Sequence, residues 1–146
     1  MQGIEIRRFE PSDARSIAEI EKECFSAPWS EQSILQTADS GHAVLLVAEK
    51  GDCVVGYGGM LVVFDDAEML NLAVTAGARR QGVAYAVMNA LIDEARKRGA
   101  ARLLLEVRRT NRSAITLYEG LGFKQLSVRK SYYDDGEDAL IFEMKL

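Results

Sequence analysis

Apolar residues recur along this chain with two different periods, and each switch between them marks an element boundary. "IEIRRF" (4–9) begins with the strict alternation of a half-buried strand. "PSDARSIAEIEKECF" then moves to helical spacing, with Ile17, Ile20 and Cys24 on one face and Ser12 or Asp13 placed to cap the start. Pro28 breaks that helix, and Ser30 can cap a short second one running to Thr37. "HAVLLVAEK" and "CVVGYGGMLVVF" read as a hairpin turned at Gly51 and Asp52, and "AEMLNLAV" as a further strand. From Gly82 to Gly99, Val83, Val87, Leu91 and Ala95 recur at helical spacing. Lys97 and Arg98 fall in the last turn, where cations suit the helix dipole, and Gly99 supplies the stop. "ARLLLEV" is a short, nearly continuous apolar strand, as expected in a sheet covered on both faces. Asn111 to Leu121 is helical again, with Ala114, Leu117, Tyr118 and Leu121 on one stripe, and "FKQLSV" and "DALIFEMKL" close the chain as strands.

The predicted order is β-α-α-β-β-β-α-β-α-β-β. Strand 67–74, helix 82–99 and strand 101–107 form a β-α-β crossover, which should be parallel and right-handed. The hairpins should be antiparallel. The fold class is therefore α/β, a mixed sheet with helices on both faces.

Composition narrows this reading. A chain of 146 residues favours one domain, 1–146. With 48% apolar and 27% charged residues it has the balance of a soluble globular protein. The net charge of −4 argues against general nucleic-acid affinity, so any anion site must be a local basic patch. Cys24 and Cys53 form no C-x-x-C pair and read as reduced, small core residues. No run approaches the ~20 apolar residues of a membrane span, and the start lacks a signal core. The expectation is a cytoplasmic protein, with a monomer favoured.

Several chemistries lack their parts. His42 is the single histidine, which leaves little for a metal site or a Ser/His/Asp triad, and no metal is expected. There is no G-x-S-x-G elbow and no P-loop. The glycines of "GYGGM" lie inside a strand and predict a bulge or a close backbone approach.

"ARRQGVA" (78–84) stands where a strand hands over to a helix. A helix N-terminus offers unpaired N–H groups and the positive end of the dipole. A glycine there lets an anion reach the backbone, and Arg79 and Arg80 add charge. The spacing Arg79-x-x-Gly82-x-Ala84 resembles the Q/R-x-x-G-x-G/A motif of the GNAT acyltransferases. "NRSAITLYEGLGF" (111–123) resembles the second signature of that family, N-x-x-A-x-x-L-Y-x-x-x-G-F. "APWSE", "LNLAV", "LLLEVR" and "YYDDGEDALIFEM" are similar to ribosomal-protein-alanine N-acetyltransferases of the RimI type, and to archaeal and eukaryotic N-terminal acetyltransferase subunits. Two positions depart from the usual pattern: Ala84 replaces the commoner glycine, and Tyr85 is unusual where arginine or a small residue often stands.

The resemblance implies a GNAT fold: a mostly antiparallel sheet of about seven strands, four helices on its two faces, and a parallel pair splayed at the cofactor site. It implies acetyl-CoA as co-substrate, its pyrophosphate wrapped by Arg79, Arg80, Gln81, Gly82, Val83 and Ala84. Its pantetheine arm would lie along Leu72, Ala73 and Val74 and touch Asn111, which can equally cap its helix. An N–H near Val74 would polarise the thioester carbonyl, a contribution of ~3 kcal/mol for such a donor.

Strand alternation puts Leu104, Glu106 and Arg108 on one face. A carboxylate at the C-terminal end of a central parallel strand points at the crevice where α/β folds bind ligands. Partial burial there would make Glu106 a stronger base, and the resemblance assigns it the role of general base, with Glu68 as the reserve. The competing reading is an ion pair with Arg108 or Arg80. Tyr118 lies on an apolar stripe and reads as a core residue from periodicity alone; the resemblance makes it the proton donor to the leaving thiolate. An α-amine is neutral near pH 7 about 300-fold more often than a lysine side chain, so a single carboxylate base suits a chain N-terminus.

For the acceptor, Phe25, Trp29, Tyr132 and Tyr133 lie on two loops that the family places across a peptide groove, and Asp134, Asp135, Glu137 and Asp138 would attract a cationic peptide. The expected function is acetylation of a protein or peptide N-terminus, with a ribosomal protein beginning in alanine preferred. The alternatives are a GNAT enzyme for a small amine or lysine, and a non-catalytic acyl-CoA-binding module.

Overall fold

The computed structural model describes residues 3–146. It contains β1 (Ile4–Arg8), α1 (Ala14–Cys24), α2 (Glu31–Ala38), β2 (Ala43–Lys50), β3 (Cys53–Val63), β4 (Asp66–Val74), α3 (Val83–Lys97), β5 (Arg102–Arg108), α4 (Arg112–Leu121), β6 (Lys124–Arg129) and β7 (Ala139–Lys145). The predicted order of elements is the observed one. The strands form one seven-stranded sheet in the order β1-β2-β3-β4-β5-β7-β6. Among the described residues β4 and β5 are the parallel pair, and the other neighbours run antiparallel.

Each face of the sheet carries its own core. Val83, Val87, Leu91 and Ala95 of α3 and Ile115 and Tyr118 of α4 pack with Val44, Met60, Leu103, Leu105 and Phe142 on one face. Ala14, Ile17 and Ala18 of α1 and Ile34 of α2 pack with Leu45, Val47, Tyr57 and Ala73 on the other. The start of α1 differs from the simple cap expected. Glu10 and Asp13 form a capping box around a 3-10 turn, and Asp13 is also held by both terminal nitrogens of Arg7 at 2.9 Å. That guanidinium holds the Asp13 carboxyl below its usual range.

The two cysteines differ: Cys24 packs against the core, whereas Cys53 departs from the expectation of a core residue. Cys53 opens β3 just past the Gly51–Asp52 turn and is exposed. Cys24, in the last turn of α1, is half-buried and packs against the α1-face core.

The "GYGGM" glycines serve both purposes predicted. A Cβ on Gly58 would lie 2.7 Å from Val87 Cγ1 and 2.9 Å from Leu91 Cδ1, so the bare backbone is what lets α3 sit close on β3. Opposite Gly59 and Met60, β4 carries one extra residue, Leu70, which makes a bulge. Gly58→Val is expected to push α3 off the sheet and cost about 3 kcal/mol, read as a lowered Tm in thermal unfolding.

The bulge and the end of the parallel ladder together shape the centre of the sheet. β4 and β5 pair only from Asp66↔Arg102 to Glu68↔Leu104. Arg102 pins this closed end, bonding Asp66 on β4 (2.9 Å) and Glu143 on β7 (3.0 Å). Beyond it the two strands part, leaving a cleft between Met69–Val74 and Leu105–Arg108.

Candidate active site

The cleft has a polar backbone wall. Thr75 N–H donates to Val55 C=O across β3 at 2.9 Å. Antiparallel ladders alternate, so Ala73 and Thr75 face β3, while Leu72 and Val74 turn their N–H groups into the cleft. The splayed pair expected from the resemblance is present, and its unpaired edge lies at the predicted residues.

At the mouth of the cleft α3 begins. Its N-cap, Gly82, has φ +80° and no side chain to bond the first-turn amides, so the N–H groups of Val83 and Ala84 have no cap. Val83 itself is buried against the core, which anchors this turn. Arg80 also has positive φ, +63°, a conformation that costs a non-glycine residue energy. The three long side chains of the loop have different surroundings. Arg80 is exposed and makes no ion pair among the described residues. Arg79 instead folds back, its Nε donating to Val74 C=O (3.2 Å) and its Nη2 lying 3.3 Å from Cys24 Sγ. Gln81 braces the loop, accepting from Lys50 Nζ (3.0 Å) and donating to Gly77 C=O (3.3 Å). Lys50 thus adds a cation that sequence reasoning missed, and no local signal could have placed it there.

Glu106 lies on the face of β5 opposite the buried Leu105 and Val107. It is more open than expected, with its side chain 38% exposed, because no helix covers that face beside β7. Its ion partner is Arg129 of β6 at 3.6 Å, not Arg108 or Arg80, and Tyr132 Oη donates to it at 3.4 Å. Glu68 is exposed and stands in register with Leu104, the last pair at the closed end of the cleft.

Tyr118 of α4 is buried in the core on the opposite face of the sheet. Its ring packs edge-on against Phe123, with centroids 5.8 Å apart. The hydroxyl makes no hydrogen bond among the described residues, yet is not sealed from solvent. Burial pushes the phenol up to about 12, a smaller effect coming from neighbouring Tyr133. The ordinary value near 10 assumed from sequence therefore does not apply, and the proton is held more tightly.

Asn111 takes the capping role, its Oδ1 accepting from Ala114 N–H at 3.2 Å. Phe25 and Tyr132 are exposed, and Trp29 and Tyr133 are half-buried. Tyr132 and Tyr133 pack at 82° to each other, with the Arg108 guanidinium 4.0 Å from the Tyr133 ring centre and that of Arg129 5.5 Å from the Tyr132 ring centre. The acidic run beside them is not the free anionic surface predicted. Asp135 and Glu137 both bond Arg108 at 2.9 Å, Asp138 bonds Arg109 at 2.9 Å, and Glu137 also accepts from Thr110 N–H at 2.8 Å. These carboxylates staple the β6–β7 loop to the end of β5, and Asp134 has no such partner among the described residues.

A cleft with an anion seat at its mouth, a line of free amides, a carboxylate and a protonated phenol suits transfer of an acyl group from a long phosphorylated carrier. No helix of the described residues is long and apolar enough to cross a membrane.

The chain is similar over nearly its whole length to known proteins. The [ribosomal protein bS18]-alanine N-acetyltransferase of Escherichia coli K12 is 35% identical over 144 residues, covering 97% of each chain. The enzyme so named from Haemophilus ducreyi is 34% identical over 138 residues, 92% of this chain and 94% of its own. The crystal structure of the E. coli ribosomal-protein-S18-alanine N-acetyltransferase superposes with a TM-score of 0.90, covering 98% of this chain and 94% of that one. Ard1 from Thermoplasma volcanium, 27% identical, gives 0.88 over 98% and 97%. The profile of the Acetyltransferase (GNAT) family matches residues 14–123, and the chain belongs to that family of N-acetyltransferases.

Proposed function

We propose that this enzyme transfers the acetyl group of acetyl-CoA to the N-terminal α-amine of a protein, a ribosomal protein beginning in alanine being the preferred acceptor. The observation that carries the reading is the opening of the β4–β5 ladder past Glu68 and Leu104, between an uncapped helix N-terminus and the pair Glu106 and Tyr118. The relatives named above support the acceptor class. A ribosomal-protein acceptor would put the enzyme in the cytoplasm.

The residues fit the co-substrate. The amides of Val83 and Ala84, with Arg80 and Lys50, would hold the pyrophosphate. The cleft-facing N–H groups of Leu72 and Val74 would bond the pantetheine arm. The Val74 N–H is then available to a developing oxyanion. Bound acetyl-CoA supplies an activated acyl carbon. Glu106, open to the acceptor side, takes a proton from the incoming ammonium or amine. Tyr118 holds its proton until negative charge develops on the sulfur, then donates it. A thiolate released beside the same apolar surroundings that raise the phenol would be disfavoured together with the phenolate, so the donor remains usable.

Incubation with acetyl-CoA and a panel of N-terminal peptides, read by mass spectrometry that separates α-amine from lysine products, tests the reading. Product at the α-amine of alanine-starting peptides is expected. Product on lysine alone, or none from any peptide, overturns it. Gly82→Val tests the anion seat. Valine resists φ +80° and covers the first-turn amides, so acetyl-CoA affinity should fall at least about tenfold by calorimetry, equivalent to roughly 1.4 kcal/mol.

A further inference from the structure

Glu21 is fully buried, yet the transfer chemistry above does not use it. Its Oε1 accepts from Trp29 N–H at 2.9 Å, and its Oε2 accepts from Asn71 Nδ2 at 2.9 Å and from the Tyr57 hydroxyl. Its backbone carbonyl accepts Phe25 N–H at 2.9 Å. Residue 21 therefore holds both ends of segment 25–29, the loop assigned to the acceptor groove. A buried carboxylate is costly unless donors surround it, and here three donors from three separate elements converge on one. Burial and the adjoining Glu21 push the Tyr57 phenol well above its ordinary range, so that hydroxyl remains a donor.

Asn71 is aimed at Glu21 by the β4 bulge. Met69 packs on the α3 face, and simple alternation would put residue 71 there as well. The extra residue Leu70 turns Asn71 to the α1 face and returns Leu72 to the α3 face. The strand segment that follows, Leu72–Val74, is the cleft edge. One side chain thus ties the aromatic loop of the acceptor side directly to the strand that lines the acyl side.

We propose that Glu21 is a positioning residue for the acceptor: by clamping the Trp29 backbone to Asn71 and Tyr57 it sets the distance between the α1–α2 loop and the acyl-bearing edge of β4. The inference rests on the acetyl-transfer reading above. Its test uses Trp29, the one tryptophan of the chain, as a direct reporter of loop placement. In Glu21→Ala the peptide KM should rise about tenfold, and in Tyr57→Phe about threefold, the scale of losing hydrogen bonds to a charged group. The acetyl-CoA KM should stay within about twofold, because the phosphate loop and the cleft amides are untouched. Trp29 emission should shift to the red in both variants. Glu21→Gln keeps an acceptor for Trp29 N–H and should restore both readouts toward wild type.

Tyr57→Phe preserves shape, so the test survives if Glu21→Ala does not fold. A fall in Tm with peptide KM and Trp29 emission unchanged overturns the inference in favour of a purely structural role. An acetyl-CoA KM that climbs in step with the peptide KM overturns it in favour of cofactor support. Unchanged Trp29 emission in Glu21→Ala and Tyr57→Phe overturns it whatever the acceptor proves to be. Failure of wild type to acetylate an α-amine is a separate result, and it counts against the functional reading.

Discussion

Replacing Glu106 with glutamine is expected to lower kcat by two to three orders of magnitude, roughly the lower part of the range for general base catalysis, with acetyl-CoA affinity unchanged. The side chain sits where an acceptor amine can approach, on the open face of β5, and its contacts to Arg129 (3.6 Å) and Tyr132 (3.4 Å) are long. Weakly held carboxylate oxygens keep lone pairs free for a substrate proton. The pH dependence separates this role from that of an ion-pair partner. An α-amine titrates near about 7.8, so raising the pH supplies more of the neutral nucleophile and substitutes for the missing base. The deficit of Glu106→Gln should therefore shrink steadily from pH 6.5 toward about 9 in kcat/KM measurements with an N-terminal peptide. A deficit below about threefold at every pH would make Glu106 a partner of Arg129 and nothing more.

Tyr118→Phe should cost about a hundredfold in kcat, with both KM values and the Tm nearly unchanged. The ring keeps its contact with Phe123, and the hydroxyl has no protein partner among the described residues, so only the donor is lost. A buried phenol near 12 also predicts the alkaline side of the wild-type profile. The neutral form is the reactive one. Activity that depends on it should persist through the ordinary phenol value near 10 and fall only as pH nears the folded-state value. The linked stability has the same sign: it is fully present below the unfolded value and lost as pH rises through the raised one. A descending limb centred near 10 in wild type, absent from Tyr118→Phe, would mean that the hydroxyl is wetter than its surroundings indicate.

Much of this was legible in the chain. Every strand and helix appears within a few residues of its predicted span, because each rests on a local period: alternation in "IEIRRF", helical spacing through Val83, Val87, Leu91 and Ala95. The uncapped start of α3 was legible for the same reason, since Gly82 and the amides it exposes are neighbours in sequence. The acidic run 134–138 was misjudged. Its charges looked free, but their partners Arg108 and Arg109 approach from a strand some 30 residues away. Cys53 was placed in the core although it opens β3 at the hairpin turn, while the stripe of Ile17, Ile20 and Cys24 does face the core and carries Glu21 inward with it. That glutamate, standing among Ala14, Ile17 and Ala18, was a visible anomaly in the pattern.

The sequence by itself determined the order and type of elements, the uncapped start of α3, and the alternation that sends Glu106 and Leu105 to opposite faces. Only the tertiary structure decided which charges were neutralised, that Lys50 reaches Gln81, that the ladder stops at Glu68 and Leu104, and that Leu70 swings Asn71 toward Glu21. The division follows from range. Backbone propensity and periodicity act over a few residues and can be read along the chain, whereas ion pairing, burial and the parting of two strands depend on which distant segments come to lie side by side.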